Sequence, residues 1–139
     1  MVSTVWDSPV PSTAYLEGER FHKLPGNRCD LTFEYEGDSD ETIHVRLIFD
    51  GVHAFKCTYF YACTLEMISA AYDKVVDVGQ SEWLIATTSQ MLTYGRDLLA
   101  QYDHDVDKLK HYMIFFDDGP CYEFVCASFS VEESQAGTH

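Results

Sequence analysis

Residues 42–61 read Thr42-Ile-His-Val-Arg46-Leu-Ile-Phe-Asp50-Gly51-Val-His-Ala-Phe55-Lys-Cys-Thr-Tyr-Phe-Tyr61, and their pattern is the clearest structural signal in the chain. Two runs rich in β-branched and aromatic residues flank Asp50-Gly51. Because Asp-Gly tolerates the positive φ angles of a tight turn, the pattern predicts a β-hairpin. In the first run, we expect one face to be buried, formed by Ile43, Val45, Leu47 and Phe49.

The segment that precedes this hairpin alternates in the same way. An apolar face, Leu31, Phe33 and Tyr35, faces away from a polar one, Thr32, Glu34 and Glu36. This alternation is typical of a half-buried strand, so we expect an antiparallel meander of three strands. Residues 110–131 predict a second hairpin, with its turn at 117–120.

Helical signals lie between the two predicted hairpins. Thr64 is a suitable cap for a helix that begins at Leu65 and carries apolar residues at three- and four-residue intervals as far as Val76. Gly79 is a suitable stop for this helix. Residues 81–86 predict a short strand. Residues 87–108 are compatible with a helix weakened by Gly95 or with a loop, and both alternatives stay open.

Together these segments predict an α+β fold: an antiparallel sheet of about five or six strands with one or two packed helices. The length of 139 residues suits one domain, 1–139. Within it we expect residues 1–12 to form a loose lead-in and residues 132–139 to be a frayed tail.

Composition limits the classes of partner. The formal net charge is −14, and only 9 residues are Lys or Arg. Direct binding of nucleic acid needs basic contacts to phosphates, so we expect none. An acidic chain instead favours encounter with a basic protein. We also expect no membrane segment, since no apolar run reaches 18 residues, and no secretory signal.

The five cysteines, which include no Cys-x-x-Cys pair, indicate small buried apolar side chains in a reducing cytoplasm. We therefore expect neither a structural zinc site nor another cofactor.

Motifs that would indicate a reaction are missing. The sequence has no Gly-x-Ser-x-Gly, P-loop or Gly-x-Gly-x-x-Gly, so no catalytic residues are assigned. The spacing of Asp103, Asp105 and Asp107 starts like a calcium loop, but Lys108 and Ile114 occupy the positions that need Gly and Glu. His44 and His53 flank the first predicted turn and would be cross-strand neighbours, without a third metal ligand.

Two stretches carry a family likeness: residues 71–84, Ala71-Tyr-Asp-Lys-Val-Val-Asp-Val-Gly79-Gln-Ser-Glu-Trp83-Leu84, and residues 109–126, with His111-Tyr112 before an Asp-Gly turn. They resemble a group of small, acidic, uncharacterised bacterial proteins, some of which are similar to immunity proteins of polymorphic toxin systems. The resemblance covers roughly residues 30–131. It implies a role in inhibition by binding, and it carries over no functional residues.

The leading hypothesis is a non-enzymatic cytoplasmic inhibitor or immunity protein that binds a basic toxin or nuclease through an acidic surface. The candidate contact residues are acidic and tyrosine side chains: Glu34, Glu36, Asp38, Asp40, Tyr94, Tyr102, Asp103, Asp105 and Asp107. The alternative is a small-ligand module with a pocket between sheet and helix. An enzyme and a mimic of nucleic acid are further alternatives, and the oligomeric state is open.

Overall fold

Nine β-strands and three α-helices form the part of the chain that the structure, a computed structural model, describes: residues 2–117 and 120–136. The strands are β1 (Ser3–Asp7), β2 (Leu16–Leu24), β3 (Arg28–Glu36), β4 (Thr42–Asp50), β5 (Ala54–Thr58), β6 (Lys74–Asp77), β7 (Lys110–Phe115), β8 (Cys121–Cys126) and β9 (Ser128–Ala136). The helices are α1 (Leu65–Ala71), α2 (Glu82–Leu92) and α3 (Arg96–Gln101). None of these helices has the length and apolar character needed to cross a membrane.

The strands form two antiparallel sheets, which confirms the predicted α+β class. One sheet has five strands in the order β1-β6-β7-β8-β5, and the other has four in the order β2-β3-β4-β9. The division into two sheets and the third helix go beyond the single sheet and the one or two helices expected from the pattern.

The chain changes sheet at Asp50-Gly51, so the predicted first hairpin is wrong: β4 belongs to the four-stranded sheet and β5 to the five-stranded one. The carbonyl of Asp50 accepts a hydrogen bond from the Ala127 amide at 2.9 Å, and the His53 amide donates to the Val125 carbonyl at 2.9 Å. Gly51 has φ +64°, and a Cβ there would lie 2.8 Å from the Ala127 Cβ. The turn is therefore tight, as predicted, but it links two layers because it packs against the β8–β9 corner.

The predicted meander is correct for β3 and β4 but wrong for its third strand, since β2 and not β5 completes it, and β9 pairs with the other side of β4. The β3–β4 ladder runs in step from Arg28 opposite Asp50 to Glu36 opposite Thr42. The predicted second hairpin is confirmed for residues 110–126 as β7 and β8, which pair from Lys110 opposite Cys126 to Phe115 opposite Cys121. Its second arm does not continue to residue 131 as predicted, since residues 128–131 belong to β9 of the other sheet. Two residues of its predicted turn, Asp118 and Gly119, lie outside the described residues.

The core lies between the two sheets. It contains side chains of the two faces predicted to be apolar or inward, Leu31 and Phe33 of β3 and Val45, Leu47 and Phe49 of β4, together with Ile114 of β7 and Phe124 of β8. Phe49 stacks on Phe124 with 3.9 Å between ring centroids. The face of each of these strands follows the period of two in the sequence, so these assignments are confirmed.

Helices α1 and α2 cover the outer face of the five-stranded sheet. Met67, Ile68 and Ala71 of α1 pack on Val76, Met113 and Phe115, while Leu84 of α2 packs on Leu109 and Val125. The outer face of the four-stranded sheet carries polar side chains such as Asp30, Thr32 and Arg46. This difference leaves one covered sheet and one open sheet.

The predicted helix from Leu65 begins where expected, because the Thr64 hydroxyl accepts from the Met67 amide at 3.1 Å. It ends at Ala71, and residues 74–77, which were assigned to the helix, form β6. Gly79 thus follows a strand and does not end the helix. The short strand predicted at 81–86 is also wrong, since these residues form the start of α2 with Ser81 as its cap.

Two further expectations about the chain ends are wrong. Residues 3–7 of the expected loose lead-in form β1, which pairs with β6, and Trp6 packs beside Phe33. Residues 132–136 of the expected tail belong to β9, which pairs with β4 along its whole length. Backbone pairing with β4 explains this strand, because its own side chains are mostly polar.

Candidate functional site

The strongest surface candidate lies on α2, α3 and the turn that follows them. Gly95, with φ +89°, separates the two helices, which resolves the open alternative for 87–108. Five large apolar side chains are exposed there: Ile85, Leu92, Tyr94, Leu98 and Tyr102. We call these side chains and four neighbouring carboxylates the helical face; the carboxylates are Asp97, Asp103, Asp105 and Asp107. Monomeric domains seldom expose large apolar side chains in such a group without a partner.

The two tyrosines predicted as contacts are prominent on this face. Tyr94 is 64% exposed and Tyr102 is 65% exposed. Tyr102 follows the last turn of α3, one turn beyond Leu98, so their side chains project from neighbouring positions. Exposed tyrosines of this kind offer a large apolar contact area together with a hydroxyl.

The carboxylates of the helical face are only partly neutralised. Asp107 lies 3.2 Å from the Arg96 guanidinium, and Asp105 accepts the Asp107 amide as the cap of a short 3₁₀ turn. Asp97 and Asp103 form no ion pair with any residue that the structure describes. The face therefore keeps a negative potential beside its tyrosines.

A buried hydrogen-bond series holds α2 onto the sheet. The Ser81 hydroxyl accepts from the Leu84 amide at 3.1 Å and lies 2.7 Å from His111 Nδ1. His111 Nε2 lies 2.9 Å from Glu123 Oε1, and both residues are buried. With the imidazole proton on Nε2, His111 donates to Glu123 and accepts from Ser81, so every member of the series is satisfied.

Lys56 and Trp83 lie next to this series of hydrogen-bonded residues. The Lys56 ammonium lies 3.8 Å from Glu123 Oε2 and 4.2 Å from the centre of the Trp83 ring. The Trp83 ring meets His111 edge-on at 5.0 Å. A serine, a histidine and a carboxylate in a row resemble a hydrolytic triad, but here the serine caps a helix and the imidazole lies under Trp83. The series thus acts as an anchor for the helical face.

This anchor does not follow from the local pattern, because the pattern of residues 81–86 predicts a strand. Two signals were available. Ser81 precedes Glu82, a cap followed by an acidic first turn, and His111 and Glu123 lie on the same outward face of the predicted second hairpin.

The predicted contact residues divide into two separate groups. Tyr94, Tyr102, Asp103, Asp105 and Asp107 lie together on the helical face. The other four lie on the four-stranded sheet: Glu36, Asp38 and Asp40 at or beside its β3–β4 turn, and Glu34 farther along β3.

The length of β4 separates these groups. His104, beside the helical face, packs against His53 with 4.9 Å between ring centroids, just beyond the end of β4 at Asp50. The acidic turn lies at the other end of β4, about 25 Å away at ~3.3 Å per residue. One small contact area does not include both groups.

At the β3–β4 turn, further carboxylates join the predicted ones: Glu41 and Glu133. Burial, and then the charges of Glu133, Glu41 and Asp38, raise the pKa of Tyr35. Glu133 was missed because residues 132–139 were expected to be a frayed tail. This end of the sheet is negative, but it lacks the exposed tyrosines of the helical face.

On the open face of the four-stranded sheet, charges are paired. Buried Asp30 lies 2.6 Å from Arg46 Nε and 2.7 Å from His22 Nδ1, and Arg46 also lies 3.3 Å from Glu132. Glu34, one of the predicted contacts, lies 3.5 Å from His44. A shallow groove of about 790 Å³ runs over this face. Three of the four arginines, Arg20, Arg28 and Arg46, lie here, so the unpaired negative charge is concentrated elsewhere.

His44 and His53 are not cross-strand neighbours, since His44 lies opposite Glu34 and Ser134. Within residues 2–117 and 120–136, no group of three or more His, Cys, Asp or Glu side chains is placed to hold a metal ion.

The thiols are all free. Burial raises the pKa of Cys57, and burial also raises the pKa of Cys126 to about 12, so both favour the thiol form over the nucleophilic thiolate.

Comparison with known proteins finds no match to the chain: no family model, no curated protein and no solved structure.

Proposed function

We propose that this chain is a non-enzymatic interaction protein that binds a basic protein partner through the helical face. The observation that carries the proposal is the placement of two exposed tyrosines, Tyr94 and Tyr102, beside the unpaired carboxylates of Asp97 and Asp103. This arrangement combines an apolar anchor with charge selection for a cationic partner.

The tyrosines and the carboxylates of the helical face contribute to binding in different ways. Tyrosine is enriched among the residues that dominate binding free energy, whereas exposed carboxylates at a rim mainly accelerate encounter and select the sign of the partner's charge. Since the whole chain has a net charge of −14, the long-range field also favours a basic partner. Nucleic acid is disfavoured by the same charge.

The finer hypothesis is that the partner is a toxin or nuclease and that this chain is its cytoplasmic immunity protein. Binding would occlude the basic substrate-binding cleft that a nuclease needs for phosphate contacts. The anchoring of α2 to the sheet suits such inhibition, because preorganised surfaces lose little conformational entropy on binding.

The small-ligand alternative required a pocket between sheet and helices. That space holds packed apolar side chains instead: Met67 and Ile68 of α1 pack near Phe115, and Leu84 of α2 packs near Val125. The observations therefore favour the protein partner.

Affinity capture from the native host, followed by quantitative binding, tests the proposal. The wild-type chain should retain a basic protein at low salt and release it as salt rises, because surface charge is screened. The variant Tyr94→Ala/Tyr102→Ala/Asp97→Asn/Asp103→Asn should lose this partner. The matched charge control is Glu36→Gln/Asp38→Asn, at the far end of the sandwich.

Asparagine tolerates the positive φ of +61° at Asp103, so the variant keeps its backbone. Equal retention by the helical-face variant and the control would contradict the proposal, as would the absence of any basic partner at low salt.

A further inference from the structure

A second exposed apolar area follows the end of β5, whereas the helical face lies near the start of that strand. Five side chains form it, and we call them the aromatic surface: Tyr59, Phe60, Tyr61, Leu65 and Tyr72. Tyr61 is 98% exposed, Leu65 84% and Tyr59 75%.

The aromatic surface is continuous. Phe60 meets Tyr61 edge-on at 5.1 Å between centroids, and Phe60 and Tyr72 lie 6.1 Å and 6.0 Å from the buried ring of Phe115. The short 3₁₀ turn Phe60–Ala62 holds this segment, and the Cys63 thiol lies 3.4 Å from the Thr58 carbonyl. The apolar side chains are therefore presented on an ordered turn that is tied to β5 and to the core.

Charge distinguishes this surface from the helical face. Residues 51–65 contain no Asp or Glu, and this is the longest such stretch in a chain with 23 acidic residues. The only Lys or Arg in the stretch is Lys56, whose ammonium faces Glu123 and Trp83.

Bordering carboxylates lie at Glu66, at Asp117, which accepts from the Tyr72 hydroxyl, and at Glu19, which accepts from the Tyr122 hydroxyl. Two of these three carboxylates accept hydrogen bonds, so the surface offers less negative charge for a basic partner than the helical face does, and its one lysine faces Glu123 and Trp83.

We propose that the aromatic surface binds a second copy of this chain and forms a symmetric dimer. Two molecules of net charge −14 repel each other, so self-association is least unfavourable where carboxylates are excluded from the contact. The aromatic surface is such a place, whereas the helical face with its four carboxylates is not.

A twofold axis that passes through the aromatic surface brings it against its own copy, which is an isologous contact. The surface follows the end of β5, so the two β5 strands then lie on opposite sides of the axis, and the contact does not depend on pairing between them.

The available area also fits. The five side chains together expose the equivalent of more than three whole residues. At about 200 Å² for each, this is on the order of 600 Å² of apolar area. Specific interfaces bury about 1,200–2,000 Å² in total, and two copies of the aromatic surface, at about 1,200 Å² together, reach the lower end of that range.

Sedimentation velocity of the full chain in reducing buffer tests the dimer, over a wide range of protein concentration. We expect a concentration-dependent dimer whose dissociation constant rises at least about tenfold in Tyr61→Ser/Leu65→Ser. Both side chains are exposed, so circular dichroism should show an unchanged fold. The control, Tyr94→Ser/Leu98→Ser, replaces the same two residue types on the helical face, where they are less exposed, and should leave the dimer intact.

Salt separates this proposal from the proposed function. Added salt should strengthen the dimer, because it screens the repulsion between two acidic chains, and should weaken binding of a basic partner. A monomer at the highest concentration would overturn the dimer, as would equal effects of the two double variants. Loss of a different protein's binding in Tyr61→Ser/Leu65→Ser, without any dimer, would also overturn it and would assign the surface to that protein.

Discussion

His111 and Glu123 face each other across the β7–β8 hairpin, with His111 Nε2 2.9 Å from Glu123 Oε1. Neither residue lies directly opposite the other in the register, since His111 pairs with Val125 and Glu123 with Met113. The diagonal contact turns both side chains toward α2, where Ser81 completes the series. A polar group that sequence alone would place on a solvated strand face is thus buried under a helix.

Removal of the buried carboxylate should therefore destabilise the fold. Glu123→Ala deletes a charge-assisted acceptor and leaves His111 Nε2 without its partner, so we expect a loss of about 2–4 kcal/mol in the free energy of unfolding. Urea denaturation measures it. Glu133→Ala on the exposed part of β9 is the matched control and should cost less than about 0.5 kcal/mol. Similar values for both would refute the anchor.

Ser81→Ala should act locally on α2. It removes the cap that accepts the Leu84 amide and the hydroxyl that reaches His111, so we expect a loss of about 1–2 kcal/mol. Hydrogen exchange should speed up at the Leu84 amide before it does in the β3–β4 ladder. Ser89→Ala, in the exposed middle of the same helix, should be neutral or slightly stabilising. Unchanged exchange at Leu84 would contradict the capping role.

Gly51→Ala should show what the tight crossing between the sheets requires. The new Cβ is unfavourable for two reasons, the positive φ of +64° and the contact of 2.8 Å with the Ala127 Cβ. We therefore expect a loss of about 2–4 kcal/mol in the free energy of unfolding. Gly26→Ala has a positive φ of +78° but open space around its Cβ, and should cost only about 1 kcal/mol. The difference between the two unfolding free energies measures the contact. No difference would mean that β4 and β5 do not cross here as described.

His53 should make stability depend on pH. Burial, and then the neighbouring His104, lower the pKa of His53 from its ordinary value of 6.5. The unfolded chain therefore binds this proton more readily than the folded chain does. The contribution of neutral His53 to the free energy of unfolding is complete above pH 6.5, and it is lost as pH falls through 6.5 toward the lower folded pKa.

Denaturation at several pH values checks this dependence. His53→Gln should flatten the fall in stability below pH 6.5, and His104→Gln should flatten it in part, because the second cause of the lowered pKa is gone. If wild type and His53→Gln follow the same slope, the partly buried imidazole does not titrate as inferred.

The local sequence pattern was sufficient to predict which faces of the core strands are buried and where one helix begins. The period of two placed Leu31, Phe33, Val45, Leu47 and Phe49 inward before any partner strand was known, since alternation is a property of the single strand. The Thr64 cap is equally local, because donor and acceptor lie three residues apart. The predicted site residues on the helical face also lie close together because they are close in sequence.

Local pattern was insufficient where two structures suit the same residues. Trp83, Leu84 and Ile85 are an apolar run that fits a strand or a buried helix turn, and packing of Leu84 on Val125 and Leu109 selects the helix. Likewise, the polar sequence of β9 carries little strand signal, and its hydrogen bonds to β4 make it a strand.

By itself, then, the sequence determined the α+β class, the inward faces of the core strands and the acidic character of the chain, because each depends on residue type and short spacing. Tertiary structure decided which sheet each strand joins, that α2 is anchored through His111 to Glu123, and that the two acidic groups lie at opposite ends of β4. Those features depend on contacts between residues far apart in the chain, such as Gly51 with Ala127, and no local period encodes them.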